Sequence, residues 1–179
     1  MDFGKSDWKD WGRELIRRWL DSDHQVSLET LKAKKWLALP VADILNPMEA
    51  EWLADAIHSL GVEEAIGVAF EYNGDPNVET VPVSRDHILT YNGSNSWRYV
   101  IITSSAELFL YFKDEANRFY LVCGPADFVS QAYKARWETA KIMYFEWVNL
   151  DHHNDQEKRF LTEVWNKYAT LTPDSQSST

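Results

Sequence analysis

The chain has 179 residues, a mass of 20.8 kDa and a formal net charge of −10, with 28 acidic and 18 basic side chains. At 45% hydrophobic and 26% charged residues it can build a core, so global disorder is excluded, and the length suits one domain. No 18-residue apolar run occurs, the opening MDFGKSDWKD carries no apolar signal segment, and Cys123 is the single cysteine; a transmembrane helix, a secretory leader and an internal disulfide are therefore not expected, and a reducing, cytoplasmic setting is.

Residues 6–20 read as a helix. Trp8, Trp11, Leu15 and Trp19 make one apolar stripe, Ile16 and Leu20 lie beside it, and Arg13, Arg17 and Arg18 lie away from it. Gly12 weakens that helix by about 1 kcal/mol relative to Ala. Ser27 suits the cap of a second helix running to about Leu37, with Pro40 just beyond. The segment Asn46-Pro47-Met48-Glu49 combines a cap, a proline at the first helical position and a capping-box glutamate. It predicts a helix over 47–60, with Trp52, Leu53, Ala56, Ile57 and Leu60 inward and Gly61 as the stop.

From residue 65 the period changes to that of strands. AIGVAFEY (65–72) and VETVPV (78–83) flank the turn-rich NGDPN and predict a hairpin, and Pro82 places the second strand at a sheet edge. A short strand is expected over 87–91 and a loop over 92–96. Strands follow at 97–103, 106–113 and 118–123, the last two joined by a tight turn at 114–117. Gly124-Pro125 then opens a long helix to about Val148, striped by Val129, Tyr133, Trp137, Ala140, Tyr144 and Trp147. Asn154 and Glu157 form a second capping box, ahead of a last helix with Leu161, Val164, Trp165 and Tyr168 on one face.

The fold class expected is therefore α+β: N-terminal helices, a five-stranded antiparallel meander, and two C-terminal helices packed on the sheet. Residues 1–172 are read as a single domain, helical over 1–62, sheet over 63–123 and helical over 124–172, with 173–179 as a flexible tail.

Charge is unevenly distributed. Residues 41–90 hold ten acidic groups against one cation, Arg85, and residues 1–40 come close to neutral. An acidic face of that kind repels nucleic acid and membrane surfaces and attracts basic proteins. Too few carboxylates are present to track a duplex as a nucleic-acid mimic.

Familiar catalytic and phosphate-binding signatures are absent: there is no G-x-x-x-x-G-K-[ST], G-x-G-x-x-G, H-E-x-x-H or G-x-S-x-G. Asp151-His152-His153-Asn154-Asp155 is the densest run of possible metal ligands, and is equally a loop with a helix cap. Cys123 lies ahead of a helix start, where a thiol can be activated; His87 is the candidate base, and a small buried hydrophobe is the plain alternative. Glu51, Asp55 and His58 fall at i, i+4 and i+7 on the polar side of the 47–60 helix.

No catalytic residue, cofactor or metal site is assigned. The function expected is that of a small acidic protein-binding protein, an inhibitor of a basic partner such as a toxin domain, in the manner of an immunity protein. Its partner-binding residues are read as Glu49, Glu51, Asp55, His58, Glu63, Glu64, Tyr72, Asp75 and Trp97. The alternatives are an enzyme using Cys123 with His87 or a metal at 151–155, and a structural subunit of a larger assembly.

Overall fold

A computed structural model describes residues 5–171. In chain order the elements are α1 (Lys5–Trp19), α2 (Leu28–Lys34), β1 (Leu37–Ala42), α3 (Pro47–Ser59), β2 (Glu64–Phe70), β3 (Asn77–Pro82), α4 (Arg85–Ser94), β4 (Tyr99–Thr103), β5 (Leu110–Lys113), β6 (Phe119–Gly124), α5 (Ala126–Ala132), α6 (Trp137–Val148) and α7 (Asp155–Ala169). The class is α+β: one antiparallel sheet of six strands, in the order β1-β6-β5-β4-β2-β3, with N-terminal and C-terminal helices packed on it. The expected tail at 173–179 lies outside the described residues.

Both capping boxes are present. Asn46 and Asn154 each accept from the amide of the residue three positions on, at 2.9 Å, while Glu49 and Glu157 accept from the cap amides at 3.1 and 3.0 Å. In α1, Leu15 and Trp19 are fully buried and Arg13, Arg17 and Arg18 are exposed, as the stripe requires.

The sheet corrects the sequence reading in four places. Residues 37–42 form a strand, not the end of a helix. Lys35 adopts left-handed backbone (φ 55°), and its amide turns back to the Leu31 and Lys32 carbonyls, which closes α2 at Lys34. The strand that follows is buried on both faces, so it lacks the alternation that marks a half-exposed strand. Pro40 is tolerated because β1 is an edge.

Second, 87–91 is helical. Ser84 caps α4 through its hydroxyl, which accepts from the His87 amide at 3.2 Å, and the expected 92–96 loop is the end of α4 and its exit, with Asn92 and Asn95 buried. Third, α4 carries the chain over β2, so β4 pairs with β2 and the strands do not form a simple meander. Fourth, the expected 125–148 helix is two helices broken at 133–136, where Tyr133 is extended. The two have different partners: α5 lies against α3 and β6, α6 against β1 and α7.

The sheet is covered on both faces. Gly67, Ile102, Tyr111, Val122 and Leu39 are in register across five strands and lie under α3, α4 and α5. Val68, Ile101, Phe112, Leu121 and Pro40 form the opposite row, under α1 and α7. The end of α7 is fastened to the α1–α2 connection. Lys167 Nζ reaches the Asp21 carboxylate at 2.7 Å, and the Tyr168 hydroxyl donates to the Val26 carbonyl at 2.7 Å. Trp19, fully buried, stacks on Trp36 at 5.1 Å and donates its indole N–H to Glu107 at 2.7 Å. Burial of one such ring is worth about 4–6 kcal/mol before ordering costs.

Candidate binding surface

The inner face of α3 buries Ala50, Leu53, Ala54, Ala56 and Ile57, which leaves Glu51, Asp55 and His58 on its outer face. His58 Nδ1 lies 3.5 Å from the Glu63 carboxylate, and Glu64 opens β2, exposed. α4 runs beside α3 and adds exposed Asp86. Arg85 lies 2.9 Å from Asp86 and 3.8 Å from Glu51. Asp55 and Glu64 make no ion pair among the described residues. The outer surface of this helical layer therefore carries a surplus of solvated carboxylates.

The nine candidate residues do not form one patch. Tyr72, Asp75 and Trp97 lie at the other end of β2, where Phe70 pairs with Tyr99. At 3.3 Å per residue that is about 20 Å from Glu64. Asp75 fastens the hairpin to α1: Arg13 Nη2 reaches its carboxylate at 2.7 Å and Lys9 at 4.0 Å. The Arg13 guanidinium holds the Asp75 carboxyl below its ordinary range. Tyr72 lies 4.4 Å from the His24 ring, and Trp97 is 78% exposed on the α4–β4 connection. Glu49 belongs to neither group. It is buried, and its Oε2 is committed to the cap of α3.

Glu49 instead forms part of a pocket that sequence reading missed. The pocket has a volume of 260 Å³ and lies between the start of α3, the end of β1 and α6, with Tyr133, Tyr144 and Trp147 in its wall and Asp43 at the β1 end. Burial raises the pKa of Glu49, against the opposing hydrogen bonds from the Asn46 cap. Beneath it, burial raises Tyr120 and Tyr111, and Asn92 Nδ2 donates to the Tyr111 hydroxyl at 2.9 Å. The Tyr120 hydroxyl sits beside the Glu49 carboxylate, short of a hydrogen bond of ordinary geometry. The available signal was the composition of α6: Ile142, Met143 and Phe145 are apolar yet lie off its buried stripe.

The catalytic alternative loses its geometry. Cys123 is fully buried, and burial pushes its thiol up. It projects from β6 opposite to Val122, toward the Tyr168 side of the sheet. His87 is exposed on α4, which packs on the other face, so thiol and imidazole do not meet. In the 151–155 cluster, Asn154 is the α7 cap and the His153 ring lies tilted against Trp147, with centroids 4.2 Å apart. Among the described residues no group of three His, Cys, Asp or Glu side chains is placed to hold a metal ion. No described helix is long and apolar enough to cross a membrane. No family model, curated protein or solved structure matches this chain.

Proposed function

We propose that this protein works by binding: it takes a basic partner protein on the acidic outer face of α3 and α4 and inhibits that partner by covering it, as an immunity protein covers a toxin. One observation carries the reading. Glu51, Asp55, Glu63, Glu64 and Asp86 are all exposed, and Arg85 is the one cation anywhere in 41–90. Such a field speeds encounter with a basic surface and sets orientation, while buried contacts at the centre of the interface supply affinity. A cytoplasmic site of action accords with the single free cysteine.

The experiment is a pull-down from source-cell lysate with the tagged full chain, washed at rising salt, with mass spectrometry of the retained protein. The partner is then titrated against the Glu51→Lys/Asp55→Lys variant. The expected outcome is a basic protein held at low salt and released at high salt, with slower association and a shallower salt dependence for the variant. Equal affinity and equal salt dependence in the variant would remove α3 from the interface and the proposal with it.

A further inference from the structure

We infer that the pocket between the start of α3 and α6 receives a lysine side chain of the basic partner, its ammonium meeting the Glu49 carboxylate and its aliphatic stem lying among Tyr133, Tyr144, Trp147 and Met143. This deepens the proposed function and rests on it for the source of the lysine.

Size is the first argument. At 260 Å³ the pocket falls below the roughly 300–1,000 Å³ of drug-sized sites, which suits one long side chain. The wall is the second. Two tyrosines, a tryptophan and a methionine surround a carboxylate, the combination that recognises an ammonium group on an apolar stem. Charge is the third. Only Oε2 of Glu49 is spent on the cap, and Asp43 adds a second carboxylate at the rim. A carboxylate disfavoured by burial gains more from an arriving cation than one already in water. The buried Tyr120 hydroxyl stands beside Glu49 and can donate to its carboxylate as a ligand arrives.

Lysine fits better than arginine. A planar guanidinium matches a carboxylate with both oxygens free, whereas a compact ammonium needs one. Position also favours a partner's side chain. The pocket opens at the first turn of the helix whose outer face carries Glu51 and Asp55, so one basic surface can cover that face and insert a lysine. Met143 and Ile44 are exposed at the mouth, apolar surface that such docking removes from water.

The test uses the full ¹⁵N-labelled chain and reads the Trp147 indole N–H, assigned with Trp147→Phe. The probes are N-acetyl-lysine methylamide, its neutral analogue without the amino group, N-acetyl-norleucine methylamide, and n-butylammonium. The lysine amide is expected to shift the Trp147 signal saturably, with the norleucine amide at least about tenfold weaker, the loss of one charge-assisted contact. Glu49→Gln retains the capping box and so the fold, and is expected to bind the lysine amide about tenfold more weakly. Equal binding of lysine and norleucine amides, or full binding by Glu49→Gln in a spectrum that is otherwise native, overturns the inference. So does binding of n-butylammonium without the lysine amide, which would make the pocket a site for a free amine. Failure here leaves the acidic-face proposal intact, because that proposal is read from the salt dependence of the Glu51→Lys/Asp55→Lys complex.

Discussion

Lys113 is buried at 2% exposure, with Nζ donating to the Arg98 carbonyl at 2.8 Å and to Asn117 Oδ1 at 2.9 Å. It ties the α4–β4 connection to the β5–β6 turn. Burial lowers its pKa to about 8, against the opposing charges of Asp114 and Glu115. Between about 8 and the ordinary lysine value of 10.5 the folded state binds fewer protons than the unfolded chain, so stability rises with pH across that window. The expected outcome is an NMR titration midpoint near 8 for Lys113 and a rise in stability above it that Lys113→Met lacks. That variant should also lose about 1–3 kcal/mol, because it leaves buried carbonyls unpaired. Gly67 makes a second prediction at this scale. A Cβ there would lie 2.4 Å from the Tyr91 ring, so Gly67→Ala should cost about 1–3 kcal/mol. Tyr91→Phe, which removes a buried hydroxyl without a partner, should be neutral or stabilising, both variants being read by their urea unfolding midpoints. Neither Lys113 nor Gly67 was legible in the sequence, because nothing local distinguishes a buried lysine from a solvated one or a packing glycine from a turn glycine.

Among the elements, α3 and α7 were the most legible, and their capping boxes explain why. A cap satisfies its own helix with neighbours three residues away, so the whole interaction is written in the local sequence. Asn46→Ala and Asn154→Ala should each cost about 1 kcal/mol, read as a lower urea midpoint with an unchanged slope. A fall confined to one variant would show that the other helix is held by packing alone. The failures at this scale share a cause. β1 is buried on both faces and carries no alternation. α4 buries only Ile88, Tyr91 and Asn92, too sparse a stripe to register as helical. The 125–148 stripe continues unbroken through Tyr133, yet α5 and α6 part there, because α5 packs on α3 and β6 while Tyr144 of α6 donates to the Leu161 carbonyl of α7. Of the candidate site, Glu51, Asp55 and His58 were placed correctly on the outer face of α3 by periodicity. Glu49 was not, since its cap role and burial turn it inward.

At the scale of the whole molecule the acidic surplus is concentrated on the layer formed by α3 and α4, whereas the exposed arginines of α1, on the other face of the sheet, are paired: Arg13 with Asp10 and Asp75, Arg17 with Glu14 and Arg18 with Glu107. Carboxylates crowded on one surface repel one another in the folded state. Glu51→Lys/Asp55→Lys should therefore leave the melting temperature unchanged or raised at low salt, and the difference from wild type should shrink as salt screens it. A large drop in melting temperature would instead mean that those side chains support the fold, and loss of partner binding by this variant would then report misfolding.

Composition and local pattern settled the α+β class, the two capped helices, the edge position of β3 and the concentration of acid in 41–90. All of these depend on neighbours within a few residues or on simple counts. Only the tertiary structure decided that β1 joins β6, that α4 carries the chain over β2, that Cys123 and His87 face apart, and that Glu49 lines one pocket with Tyr133, Tyr144 and Trp147. Those relations join residues far apart in the chain. The free energy that selects them, burial on both faces of one sheet, is a property of the assembled layers and of no single segment.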